Sequence, residues 1–157
     1  YIRELRPYMY WLGYLEEASD AGNLDWKAIG GTWGTATSKL ATWQQTLPAS
    51  SVFREIREVC DTISKTGDKN SHLMSKYVEK YFYDTWLHLN SMMPLVVDSG
   101  IFHYIVGNST FYGNLVPTEK WLAMMFSELG AKQVQIETIR KRNSNKALYE
   151  FDVSAVK

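Results

Sequence analysis

Ile2, Leu5, Met9, Leu12 and Leu15 recur at spacings of three and four, and Trp11 with Tyr8, Tyr10 and Tyr14 thickens the stripe, which predicts a helix over about 2–17. Pro7 sets either a start near residue 6 or a kink there. From 19 to 37 the pattern gives way to Gly, Asn, Asp, Thr and Ser around Trp26 and Trp33, the composition of a long irregular loop. Two short helices are expected at 37–47 (Leu40, Trp43, Leu47) and 51–65 (Phe53, Ile56, Val59, Ile63), with a serine as N-cap of the second. After the polar break at 66–70, Met74, Tyr77, Val78, Tyr81, Phe82, Leu89 and Met92 mark one face of a long helix over 71–93 that Pro94 ends. Ile101 to Val106 is a continuous apolar run between glycines, read as a strand buried on both faces of a parallel sheet. A polar and aromatic loop follows at 108–114, then a helix from Pro117 to Gly130 carrying Trp121, Leu122, Met125, Phe126 and Leu129. The period changes to two in 133–139 and again in 148–156, on either side of a polar, basic turn, which predicts an antiparallel hairpin.

The chain is 157 residues long, 45% hydrophobic and 14% aromatic, enough for one packed core and too apolar for a disordered or fibrous protein. Lys and Arg together balance Asp and Glu at 17 each, so bulk positive charge cannot hold a nucleic acid, and any basic surface must be local. The densest such cluster is Arg140, Lys141, Arg142 and Lys146 around the hairpin turn, next to Asn143. These groups suit phosphate contacts, and a solvated hairpin is the plainer alternative. The single cysteine, Cys60, lies on an apolar helix face and reads as a buried structural thiol. With no intrachain disulfide possible and no apolar run of about 20 residues, neither a membrane span nor an export signal is expected, and the expected setting is cytoplasmic. His72, His88 and His103 are too scattered for a metal site, and His103 reads as a satisfied core residue, so no metal is expected.

The order from residue 71 is helix, strand, helix, strand, strand with the last pair antiparallel. It resembles the C-terminal half of the class I S-adenosylmethionine-dependent methyltransferase fold, a Rossmann-like α/β sheet that closes with an antiparallel last strand. Ile105-Val106-Gly107-Asn108-Ser109-Thr110-Phe111-Tyr112-Gly113, Val116-Pro117-Thr118-Glu119, and Ile139-Arg140-Lys141-Arg142-Asn143-Ser144 with Leu148-Tyr149-Glu150-Phe151 look like the tail of bacterial DNA amino-methyltransferases of restriction-modification systems. Tyr1-Ile2-Arg3-Glu4-Leu5-Arg6-Pro7-Tyr8 looks like the stretch that follows that family's Pro-Pro-aromatic signature. The resemblance covers 1–17 and 71–157 and leaves 18–70 as a loop and helical insertion, a candidate target-recognition region.

The resemblance implies methyl transfer from S-adenosylmethionine to the exocyclic amino group of adenine or cytosine in DNA. It implies a base pocket at Asn108, Ser109, Phe111 and Tyr112, and a DNA-facing hairpin at Arg140, Lys141, Arg142, Asn143 and Lys146. Trp33 and Lys39 in the insertion are further candidates for DNA contact, and packing of the insertion's tryptophans under neighbouring helices is an equal alternative. The sequence holds no Pro-Pro pair, and Gly30-Gly31-Thr32-Trp33-Gly34 follows a polar loop with no strand before it, so the catalytic residues and most of the cofactor site are expected outside residues 1–157. The chain opens within a helical pattern and without a methionine, which suggests a fragment that transfers no methyl group by itself. The strand at 101–106 would lack a neighbour on one edge, so the chain is expected to need the missing N-terminal half or a partner chain, or else to self-associate. Two other readings are a non-catalytic DNA-binding or assembly subunit of a split methyltransferase, and a methyltransferase acting on RNA or a small molecule.

Overall fold

The structure is a computed structural model that describes residues 2–31, 39–142 and 147–157. The chain divides into two compact units, Tyr1–Gln45 and Thr46–Lys157. The helix expected at 51–65 therefore belongs with the C-terminal unit rather than with an insertion spanning 18–70.

In the first unit α1 covers Ile2–Trp11 and runs through Pro7. It stops short of residue 17 because Gly13 takes φ +74. Gly13 N–H then reaches Tyr10 O at 3.1 Å and Tyr14 N–H reaches Met9 O at 2.8 Å, the paired bonds of a glycine-terminated helix end. The expected long loop is partly a helix, α2 (Ala18–Lys27). Gly22 and Asn23 are poor helix formers, but Asp20 accepts from the backbone N–H of Glu16 and Glu17 at 3.0 and 2.8 Å and so satisfies donors at the helix start. At its far end the chain folds back on itself so closely that a Cβ on Gly31 would lie 1.9 Å from the carbonyl oxygen of Asp25. The Gly30-Gly31 pair is thus spent on a tight turn against α2. Residues 39–42 are again helical.

In the second unit α3 (Ser51–Ser64) buries Val52, Phe53, Ile56, Cys60 and Ile63, and the Ser50 hydroxyl accepts from Phe53 N–H as the sequence leads one to expect. A second acceptor comes from far along the chain: Glu128 takes hydrogen bonds from Ser51 Oγ at 2.6 Å and from Val52 N–H at 3.1 Å. A carboxylate at that end also meets the positive pole of the helix. The long helix α4 (Ser71–Met92) gives way to a 3₁₀ turn at Met93–Leu95. Then come β1 (Ile101–Gly107), β2 (Ser109–Phe111), β3 (Asn114–Val116), α5 (Thr118–Glu128), β4 (Lys132–Lys141) and β5 (Tyr149–Val156). Gly130, at φ +85, ends α5 with the same bond pair that ends α1, here Gly130 to Ser127 and Ala131 to Phe126. Edge-on aromatic contacts tie the layers, with Phe82 and Trp121 centroids 4.8 Å apart and Tyr104 and Phe126 5.5 Å apart.

The main sheet has the order β1-β5-β4, and both of its ladders are antiparallel. The unit is thus mixed α/β with antiparallel sheets, and the parallel pairing expected for 101–106 is not found among the described residues. Nor is that strand covered on both faces. Phe102 is buried while Ile101, His103 and Ile105 are exposed. The apolar run read as two-sided burial is an alternating strand whose open face carries isoleucines. His103 accordingly is not a core residue: its side chain is 59% exposed and pairs with Asp152 at 2.8 Å. The expected loop at 108–114 is a second, small hairpin, β2 against β3. Tyr112 and Gly113 form its turn with φ +49 and +79, the double left-handed geometry that matches strand twist. The terminal hairpin β4–β5 forms as expected, with β4 exposed along nearly all its length.

Candidate functional site

A cavity of about 200 Å³ opens where β1 ends. Tyr77, Val78, Tyr81 and Phe82 of α4 form one wall. Gly107, Ser109 and Phe111 form the strand side, and Val116 and Thr118 close the base. Two of the four expected base-pocket residues, Ser109 and Phe111, are in this lining. No lining side chain carries a formal charge. Burial pushes the phenol of Tyr77 above its usual value, and burial followed by the neighbouring Tyr77 does the same for Tyr81. Both hydroxyls therefore stay neutral donors at physiological pH. The volume is below the roughly 300–1,000 Å³ typical of sites for drug-sized molecules. Aromatic lining, neutral hydroxyls and this size suit one small uncharged ring.

Asn108 and Tyr112 do not line the cavity. Asn108 is buried, and its side chain is used inside the protein: Nδ2 donates to Ala147 O at 3.2 Å and Oδ1 accepts from Tyr149 N–H at 2.8 Å. It ties the end of β1 to the start of β5. Tyr112 sits exposed in the β2–β3 turn.

The basic hairpin is likewise divided between structure and surface. Arg142 donates from Nε to Tyr149 O at 3.1 Å and from its terminal nitrogen to Asn108 O. A Cβ on Gly107 would lie 2.5 Å from its Cζ, so the guanidinium is laid against that glycine. Arg140 pairs with Glu150 at 2.6 Å while remaining 69% exposed. Lys141 precedes Arg142 at the end of β4 and is exposed. Asn143 and Lys146 lie outside the described residues. In the first unit Lys39 donates to Asn23 at 3.0 Å and stands 6.0 Å from the centroid of the Trp26 ring. Trp33 lies outside the described residues.

Sequence reasoning missed Tyr77, Tyr81 and Thr118 as lining residues. The available signal was the pair of tyrosines one helical turn apart, which the stripe of α4 presented as ordinary core. Burial pushes the Cys60 thiol up to about 12, which leaves it unreactive. Among the described residues no group of three or more His, Cys, Asp and Glu side chains could hold a metal ion, and no helix is long and apolar enough to cross a membrane. No protein-family model, curated protein or solved structure matches this chain.

Proposed function

We propose that this chain is part of an S-adenosylmethionine-dependent DNA methyltransferase acting on the exocyclic amino group of adenine or cytosine. The observation that carries the reading is the place of β5, the last strand in the chain, which lies antiparallel between β1 and β4. An antiparallel last strand is what the resemblance leads one to expect where a class I methyltransferase sheet closes, although the parallel neighbour expected for β1 is not found among the described residues. In this reading the uncharged aromatic cavity at the end of β1 is the pocket for the extruded base. In this reading Tyr81 and Phe111 flank an extruded base, and Ser109 and Thr118 offer hydroxyls to its edge. Arg140 and Lys141, both exposed at the end of β4, meet phosphates in this reading.

The described residues do not make a cradle for the cofactor. Gly31 is packed on the carbonyl of Asp25 and Gly30 takes φ +69 in the turn before it, with a helix rather than a strand preceding them. S-adenosylmethionine would then be held chiefly by groups outside these 157 residues, and the chain by itself binds DNA without transferring a methyl group. The buried lone cysteine fits a reducing compartment such as the cytoplasm.

A second reading is a non-catalytic DNA-binding or assembly subunit. Fluorescence anisotropy of a labelled duplex, titrated over a range of salt, tests what the two share. Salt-dependent binding, together with adenine or cytosine shifting the Tyr81 and Phe111 ring resonances, supports the site. No binding at low salt sinks both. Addition of a chain bearing a glycine-rich cofactor turn and the signature then separates them, because only the first reading has methyl transfer appear.

A further inference from the structure

The two edges of the main sheet are built in opposite ways. β4 carries Lys132, Glu137, Arg140 and Lys141, the charges that natural edge strands use to discourage pairing. β1 reads Ile-Phe-His-Tyr-Ile-Val-Gly, with no Lys, Arg, Asp, Glu or Pro, and no described strand pairs with its outer side. Among the described residues of the unit, the most exposed apolar side chains lie along it and on the segment leading into it, with Leu95 82%, Val97 75%, Ile101 65% and Ile105 59% exposed. A patch of that kind beside an open ladder marks an association surface.

The hydrogen-bond pattern says which groups are open. Lys157 N–H donates to Gly100 O, and the register pairs Ile101 with Val156 without interruption through Gly107 with Glu150. Because bonded and unbonded pairs alternate along an antiparallel ladder, Phe102, Tyr104 and Val106 direct their backbone groups toward β5. Ile101, His103, Ile105 and Gly107 then direct theirs outward. These four positions are symmetric about Tyr104. A second β1 laid antiparallel with Tyr104 on the two-fold axis sets Ile101 against Gly107 and His103 against Ile105, so every outward donor and acceptor on both strands is matched. No like charges meet, since the strand has no acidic side chain and no Lys or Arg.

We propose that two copies of this chain join through β1 in this register, giving one continuous six-stranded sheet. The occupant is a second copy because the edge is uncharged and matches itself about Tyr104. The methyl-transfer reading would put the rest of its sheet on this same edge, so the two are alternatives there and the inference concerns the 157-residue chain by itself.

Light scattering coupled to size exclusion tests it. The wild-type chain is expected at twice its monomer mass at high micromolar concentration. Ile105→Lys, which puts a charge on an exposed position of the edge, is expected to return the monomer mass, and Ile139→Lys on β4 to leave the dimer intact. Circular dichroism with a cooperative thermal transition shows that each variant is folded. Should Ile105→Lys unfold, Ile105→Pro removes one outward N–H without touching the β5 ladder and gives the same reading. A monomeric wild type, or folded edge variants that remain dimeric, overturns the proposal.

Discussion

Arg142 lays its guanidinium on the backbone of Gly107 and donates to the carbonyl of Asn108 next to it, which pins the last residues of β1 to the entrance of β5. A side chain at Gly107 and the guanidinium would claim one space. Gly107→Ala is therefore expected to expel Arg142, and its cost is the loss of that side chain's bonds, about 1–2 kcal/mol. Arg142→Ala is expected to cost about as much, and the double variant little more than either alone, a non-additivity that a urea-denaturation cycle reads directly. Additive losses would show that the two residues act independently.

Asn108 makes a related point about candidate site residues. Sequence reasoning placed it in the base pocket, yet both ends of its amide are bonded to the backbone at Ala147 and Tyr149. Asn108→Ala is expected to destabilise the second unit by about 1–3 kcal/mol, because it removes both hydrogen bonds of a buried side chain. Ser109→Ala, at the wall of the cavity, is expected to change stability by less than about 0.5 kcal/mol. If base-induced shifts are followed in the two variants, only Ser109→Ala weakens them at temperatures where both are folded.

Helices α3, α4 and α5 were legible because each combines an apolar stripe with a stop or cap in its own sequence, Ser50 before α3, Pro94 after α4 and Gly130 after α5. The β4–β5 hairpin was legible through its period of two. The pairing of β1 was not, since Ile101 to Val106 reads the same whether one face is covered or both, and its partner β5 lies some fifty residues on. Helix α2 was hidden by Gly22 and Asn23, whose low propensity is outweighed by the Asp20 cap. The cavity was half legible. Ser109 and Phe111 belong to a local motif, whereas Tyr77 and Tyr81 join them only because α4 packs beside the end of β1.

Glu128 makes α3 depend on pH. Burial raises its carboxyl and the bonds from Ser51 and Val52 lower it, and the net effect holds it below the usual carboxylate range. A depressed folded value means that the stabilisation is present at neutral pH and is lost as acid protonates the group below that range. Stability measured from pH 7 downward is expected to fall less steeply in Glu128→Gln than in wild type. At pH 7 the variant is expected to lose about 1 kcal/mol, the usual worth of a helix cap. Parallel pH profiles would remove Glu128 as the cause.

Arg140 and Lys141 remain the residues through which the hairpin would meet a duplex. Arg140 is 69% exposed although its partner Glu150 is only 24% exposed, so breaking the pair is expected to cost the fold no more than about 1 kcal/mol, and a phosphate can take the place of the carboxylate. Arg140→Ala with Lys141→Ala is expected to leave the thermal transition nearly unmoved while weakening duplex binding. If each residue neutralises one phosphate, the slope of log affinity against log salt falls by about two, since each such contact contributes roughly 0.9. Arg142→Ala is the instructive contrast, because it disturbs the fold through Asn108 and Tyr149 before it changes any contact with DNA. A double variant whose affinity and salt slope both match wild type would take the hairpin out of the DNA interface and leave Arg140 as a partner of Glu150 alone.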